Sequence, residues 1–215
     1  MTRTHGKVVG VNGNMLVVEY DGQVKMNEVG YVLLGDKRLK SEVIRVRGDR
    51  AELQVFEMSR GIGIGDMVEF TDELLAVELG PGLIGQIFDG LQNPLPEVAR
   101  QCGFFLERGI YLTPLPETLE WDFSPVAKAG DTVERGDTLG TVMEGIFTHR
   151  IMVPFGFYGN YTVKSIVGQG KYGCRSAIAE LEDENGKSVP VSMVFEWPVK
   201  RPIDIYAERL KPAEH

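Results

Sequence analysis

From Gly6 to Phe70, short β-branched runs alternate with turn residues at a spacing that predicts a small barrel of six-stranded type. Lys7-Val8-Val9-Gly10-Val11 and Met15-Leu16-Val17-Val18-Glu19 flank Asn12-Gly13-Asn14, whose residues tolerate positive φ, so this pair predicts a hairpin. Residues 41–46 and 51–56 flank Gly48-Asp49; Ala51, Leu53 and Val55 share one face and Glu52 and Gln54 the other, which predicts a second, half-buried hairpin. Gly61, Gly63 and Gly65 then lead into Asp66-Met67-Val68-Glu69-Phe70, read as the closing strand.

The texture changes between Thr71 and Arg100, where Gly80-Pro81-Gly82-Leu83-Ile84-Gly85 and Asn93-Pro94-Leu95-Pro96 indicate a structured connector. Pro96 suits the start of a helix at Glu97-Val98-Ala99-Arg100, because its missing N–H would be unpaired there in any case. Strands return afterwards at 121–123, 132–133, 138–142, 149–153, 159–167, 177–181 and 189–195. The fold class expected is mostly β with little helix: a barrel over residues 1–71, a connector with a short helix over 72–108, a second β domain over 109–196 and an exit segment over 197–215.

Composition narrows the function classes. With 43% hydrophobic and 25% charged residues, the 215-residue chain is expected to bury a core and fold without staples. Its apolar stretches are only a few residues long, as in Met15–Val18, against the roughly 20 needed to cross a bilayer, so any membrane association is expected to be indirect. A formal charge of −8, with scattered basic residues, opposes nucleic-acid binding. Cys102 and Cys174 lack CxxC spacing and no basic-then-apolar leader opens the chain, which together suit a reducing cytosol.

Several short motifs are better read as structure. Asn185-Gly186-Lys187-Ser188 ends like a phosphate-binding loop, but that loop needs glycine at position 181, which is Leu, so a hairpin turn is expected. Gly61-Ile62-Gly63-Ile64-Gly65 has the wrong spacing for a dinucleotide fingerprint and lacks a βαβ setting. Arg47-Gly48-Asp49 reads as a hairpin tip. His5, His149 and His215 have no ligand partner at zinc spacing, no serine sits in a nucleophile elbow, and Glu117, Glu120 and Asp122 read as a solvated connector.

A sharper signal is Pro125-Val126-Ala127-Lys128-Ala129-Gly130-Asp131-Thr132-Val133-Glu134-Arg135-Gly136-Asp137-Thr138-Leu139-Gly140. It resembles the turn-and-strand rhythm of biotinyl and lipoyl carrier domains, with Val153-Pro154 and Gly159 matching the return strand, and implies a barrel-sandwich fold. Carrier function needs a lysine on the tight turn between the halves, and Glu144-Gly145-Ile146-Phe147-Thr148-His149 offers none.

Taken with Gly6-Lys7-Val8-Val9-Gly10-Val11, the long run from Glu78 to Gln92, Trp197-Pro198-Val199 and Arg201-Pro202, this region resembles the N-terminal third of the A subunit of V-type and archaeal-type rotary ATPases over essentially the whole chain. The resemblance implies that the first barrel joins a ring with B subunits in an alternating A/B hexamer, and that the second domain is the protruding bulge. It further implies contact of the bulge with the peripheral stalk, central rotor contacts in the parent subunit, and a peripheral position on the cytoplasmic side of a membrane. The family's phosphate-binding loop, magnesium-binding acidic strand and catalytic glutamate have no counterpart among these residues. The expectation is therefore a non-catalytic structural portion with no catalytic, cofactor-binding or metal-binding residues, with ATP and Mg belonging to the parent. The competing reading is a freestanding barrel-sandwich scaffold or carrier-like protein, modified on a lysine such as Lys128 or Lys164.

Overall fold

The computed structural model describes residues 4–103, 107–116 and 118–204. Glu117, His215 and the end of the 197–215 exit segment lie outside the described residues. The chain divides into two compact units, one formed by residues up to Ala76 with Leu95–Leu112, the other by Val77–Pro94 and residues from Thr113 onward.

The first unit is a closed barrel of six strands: β1 (His5–Asn12), β2 (Met15–Asp21), β3 (Glu28–Leu34), β4 (Lys37–Arg47), β5 (Arg50–Val55) and β6 (Met67–Leu74). Their order around the barrel is β1-β2-β5-β4-β3-β6, closed by antiparallel pairing of β6 with β1. Both predicted hairpins form, with Asn12 opposite Met15 and Arg47 opposite Arg50. The stretch 27–40, where the sequence reading names no strand and the resemblance is only loose, forms a third hairpin, β3–β4, turning at Gly35-Asp36 with Leu34 opposite Lys37. It uses the same Gly-Asp dipeptide as the turn at 48–49, the local signal that identifies it.

Alternation along these strands places Val8, Leu16, Val18, Val32, Leu39, Val43, Leu53, Val55, Val68 and Phe70 in one core. Burial of each such side chain contributes roughly 1.5–3 kcal/mol. Glu28 is buried among them because its two carboxylate oxygens accept the N–H groups of Lys25 and Asp72, at 2.8 and 2.6 Å. The helix α1 spans Leu95–Cys102, two residues longer at each end than expected, with Glu97 in its first turn and Arg100 in its last, which suits the helix dipole. Beyond it, Gly109 N–H donates to the Glu57 carboxylate, and the Tyr111 hydroxyl accepts Lys40 N–H at 2.6 Å and donates to Arg38 O. Burial pushes the Tyr111 hydroxyl well above the usual phenol range.

The second unit opens with β7 (Ala76–Leu79) and continues through β8 (Glu120–Pro125), β9 (Thr132–Val133), β10 (Thr138–Glu144), β11 (Phe147–Met152), β12 (Tyr161–Ile166), β13 (Gly170–Gly173), β14 (Ala179–Asp183), β15 (Ser188–Val191) and β16 (Phe195–Pro198). Two four-stranded sheets, ordered β11-β10-β8-β13 and β15-β14-β12-β9, form the sandwich, and β16 pairs with β7. Two apolar clusters join the sheets, one around Leu139, Val153, Val163 and Leu181, the other around Phe123, Val142, Ile151 and Ile178. Gly140 is obligatory where β10 pairs with β8, since a Cβ there would lie 2.3 Å from the Phe123 ring. The single strand expected over 189–195 is in fact two, β15 and β16. The Ser192 hydroxyl donates to Val194 O at 2.8 Å and breaks the run. Residues Glu120 and Asp122 lie on β8 rather than in a connector.

The Gly-Asp repeats have one physical function. Lys128 N–H donates to the Asp131 carboxylate and Glu134 N–H to that of Asp137, at 2.8 and 2.9 Å. Gly130 N–H then donates to Val163 O while Val163 N–H donates to Asp131 O. Gly136 and Asp137 hold Val153 in the same way. The barrel contains a third copy: Gly63 N–H donates to Asp66, and Gly65 and Asp66 exchange two 2.8 Å bonds with Val8. This clamp is what the glycine-rich run at 61–65 builds. The three glycines adopt φ of 103, 93 and 89°, and the three valines are wholly buried.

Replacing Gly136 with alanine forces a side chain into positive φ and is expected to lower stability by about 1–3 kcal/mol. Urea unfolding followed by Trp121 and Trp197 fluorescence checks this, and Ala129→Gly, a neighbouring control outside the clamp glycine, should leave most of that loss absent.

Candidate functional site

The most densely bonded polar structure in the second unit is the loop between β7 and α1. Gln92 anchors it at one end, its amide oxygen accepting Glu78 N–H at 2.8 Å and its amide nitrogen donating to Glu78 O at 2.7 Å. The Asp89 carboxylate accepts from the backbone N–H groups of Leu91 and Asn93 and from the Asn93 side chain. Arg175 Nη2 donates to both oxygens of Glu78, at 2.7 and 3.0 Å. The unusual residues of the Glu78–Gln92 run are thus the polar partners that a loop without ladder bonds requires.

The other end is pinned by Glu144, the last residue of β10. Its carboxylate is 6% exposed. Oε1 accepts Gly82 N–H at 2.7 Å and Ile84 N–H at 2.9 Å, while Oε2 lies 2.6 Å from His149 Nδ1. A buried carboxylate is tolerable only with such partners, and three are present. Sequence reasoning assigned His149 no role and overlooked Glu144, because its amide partners lie 60 and 62 residues away.

Beyond Glu144 the β10–β11 hairpin turns at Gly145-Ile146, with Glu144 opposite Phe147. No lysine stands there. Lys128 occupies the first position of a Gly-Asp clamp, and Lys164 lies on β12 with its ammonium near Glu180, Glu182 and Ser188. The turn at 185–188 links β14 to β15, as expected. Asn185 N–H and Lys187 N–H both donate to the Asp183 carboxylate, at 2.9 and 2.8 Å, so the amides that would cradle a phosphate are already taken by an acid. These residues do not fit a nucleotide phosphate. The bond from Lys187 N–H, then that from Asn185, holds the Asp183 carboxyl below the usual carboxylate range. Cys102 and Cys174 are free thiols, the second buried and its thiol raised by that burial. Among the described residues no helix is long and apolar enough to cross a membrane.

Two family models match the two β structures in turn. The ATP synthase alpha/beta family beta-barrel domain matches residues 8–72, and the ATP synthase alpha/beta subunit barrel-sandwich domain matches residues 112–200. The chain belongs to the ATP synthase alpha/beta family. It is 63% identical over 214 residues to a V-type ATP synthase alpha chain of Treponema denticola, covering 100% of this chain and 36% of that protein. It is 55% identical to the V-type ATP synthase alpha chain 1 of Treponema pallidum and 54% identical to a V-type ATP synthase alpha chain of Borrelia garinii subsp. bavariensis. Those matches cover 100% and 99% of this chain, and 36% and 37% of the relatives. The chain therefore spans little more than a third of the length of these family members.

Replacing Glu144 with alanine leaves the part-buried Gly82 and Ile84 N–H groups without their acceptor, at a cost of about 0.5–1.5 kcal/mol for each bond lost. Hydrogen exchange at those two amides should accelerate at least about tenfold, with Gly130 and Gly136 unaffected. The Asp183 turn carries a pH dependence. Because its folded pKa is depressed, its stabilisation is present above the ordinary carboxylate range and is lost as pH falls through the lower folded value. The stability difference between the native chain and D183A, measured by urea unfolding, should therefore shrink on moving from pH 6 to pH 2.5.

Proposed function

We propose that this chain is the barrel-and-bulge portion of the A subunit of a V/A-type rotary ATPase, whose full subunit couples ATP hydrolysis or synthesis to proton or sodium transport. The observation that carries the reading is the pairing, in one chain and in this order, of the two matched β domains, with 63% identity to a V-type ATP synthase alpha chain along the whole sequence. Within that subunit the portion is structural and non-catalytic. Supporting this, the Gly-Lys-Ser turn is occupied by Asp183. ATP and Mg belong to the part of the subunit outside this stretch. On this reading the domains are a ring barrel over 1–71, a connector over 72–108, a bulge over 109–196 and an exit segment over 197–215.

The partners follow from the same reading. The barrel joins those of B subunits in an alternating A/B hexamer, and a closed hydrogen-bonded ring resists the deformation that rotation imposes. The bulge meets the peripheral stalk, rotor contacts belong to the parent, and membrane attachment is peripheral, on the cytoplasmic side. The carrier alternative has weaker support, since Lys128 and Lys164 sit in a turn clamp and on a strand rather than on the β10–β11 turn.

The native polypeptide detected with an antibody against this region should have a mass well above 23.9 kDa, pellet with membranes and wash off without detergent. A soluble 23.9 kDa product would overturn the reading, and a mass excess matching a prosthetic group would favour the carrier alternative.

A further inference from the structure

The chain enters the second unit on β7 and leaves it on β16, and these two strands pair. A Cβ on Gly80 would lie 2.8 Å from Val194 and 3.0 Å from Met193 O, so β16 starts beside the far end of β7 and runs back along it. Among the described residues no strand follows Pro198, so residues 199–204 have no ladder to hold them. Side chains hold them instead. A turn closed by Arg201 N–H on Pro198 O brings Arg201 O to the Trp197 indole N–H, which donates to it at 2.8 Å. The Arg201 guanidinium lies over the Trp197 ring, 5.4 Å from its centre, and over Tyr158 at 5.5 Å, and donates to the Tyr158 hydroxyl. Three residues further on, the Asp204 carboxylate accepts two bonds from Arg135, at 3.1 and 3.4 Å, and the Arg135 guanidinium lies over the same Tyr158 ring at 4.7 Å.

Both posts of this arrangement are fixed by backbone. Arg135 precedes the Gly136-Asp137 clamp, which exchanges two bonds with Val153, and Val153 leads directly into the loop that carries Tyr158. In that loop Phe157 N–H donates to Pro154 O, the Phe157 ring packs on the core and on Tyr161, and Phe155 meets Phe195 and Trp197 edge-on at 5.2 and 5.5 Å. A lone ion pair on a surface contributes little, because solvent and salt screen it. This one differs: the Arg135 side chain is only 21% exposed, forks onto both oxygens of Asp204 and covers an aromatic ring at the same time, a combination open to arginine and not to lysine. Charge also makes the parts depend on one another. Both guanidinium groups lie against one ring, so two like charges stand within about 10 Å, the distance over which 0.1 M salt screens charge. Asp204 supplies the compensating negative charge.

We propose that Arg135 and Tyr158 form a latch that fixes the exit of the second unit, with residues 199–204 as its strap, and that Asp204 closes it by balancing Arg135 beside Arg201. The strap takes the place of the ladder that ends at Pro198. Closed, it gives the chain one direction of departure from the sandwich. With Asp204 released, Arg135 and Arg201 repel across Tyr158 and the strap swings about the Pro198 turn. The Gly-Asp clamp at Val153 thus does more than close a corner, since it also sets Arg135 and Tyr158 beside the strap. The latch holds under either reading of the function, because every part of it lies in the second unit.

Exchange of the Trp197 indole N–H with solvent reads the latch, because that proton is bonded to Arg201 O and is freed when the strap lifts. The full 215-residue chain gives two indole signals in a proton–nitrogen correlation spectrum, and Trp121, whose indole nitrogen is buried, serves as the internal reference. The Asp204 side chain is 64% exposed, so its replacement leaves the core intact. At low ionic strength Asp204→Asn should speed exchange at Trp197 at least about fivefold, with Trp121 and the urea midpoint unchanged. Adding Arg135→Gln removes the repelling charge and should at least halve that fast rate. Tyr158→Leu, which takes away the aromatic ring and its hydroxyl together, should speed exchange no less than Asp204→Asn does. Two outcomes overturn the proposal. A Trp197 rate unchanged by Asp204→Asn would leave the ion pair without influence on the exit. A double variant that keeps the fast rate of Asp204→Asn would make Asp204 a plain tether, with no charge to balance.

Discussion

Three buried valines carry the backbone logic of this chain. Val8, Val153 and Val163 each exchange two hydrogen bonds with a Gly-Asp pair, and each pair is itself fixed by an aspartate that accepts the N–H three residues upstream. A β structure with one short helix among its described elements must turn its strands through tight corners, and at each corner the ladder bonds run out. The clamp supplies the missing donor and acceptor without adding an element. It demands a left-handed residue followed by a short acid, which is why the pattern recurs as Gly-Asp and not as any polar dipeptide. Both compact units use it, so one local device closes a barrel and shapes a sandwich.

The same accounting explains the loop between β7 and α1. Beyond one bridge between Phe88 and Pro94 it has little ladder to satisfy its amides, so Glu144 and Asp89 accept several of them, and Gln92 ties the loop to Glu78 of β7. The decisive difference is distance along the chain. Asp89 and Gln92 act within 14 residues, whereas Glu144 reaches back 60 and 62. Local bonds hold the loop's shape, and the distant one fixes where the loop stands in its unit. His149 completes the arrangement at Oε2, leaving both oxygens of a buried acid engaged.

These distances also decide what can be read from sequence. Hairpins at 12–14 and 48–49 announce themselves, because turn dipeptide and flanking alternation lie together. Strand β3 does not, because inward-facing Glu28 and Gly30 spoil its alternation, and Glu28 is buried only through bonds to Lys25 and Asp72 that no hydrophobic pattern records. The break between β15 and β16 depends on one hydroxyl, that of Ser192, within an otherwise apolar run. Glu144 is the extreme case: one acid in a hairpin has no meaning until the fold brings Gly82 and Ile84 to it. The carrier-like rhythm was legible because its Gly-Asp spacing is a local geometric requirement, and its missing lysine was legible for the same reason.

The absence of that lysine and the presence of Ile146 are two sides of one argument. A hairpin that projects a single tip from a sandwich is suited to presenting something, and the cost of presentation is solvation. A lysine at such a tip is content in water, whereas isoleucine is not, and exposing it is unfavourable in proportion to its apolar area. Glu144 makes that exposure persistent, since the tip cannot fold back without breaking buried, charge-assisted bonds. The hairpin therefore presents hydrocarbon where a carrier domain presents a lysine, and Glu144 keeps its base in one place.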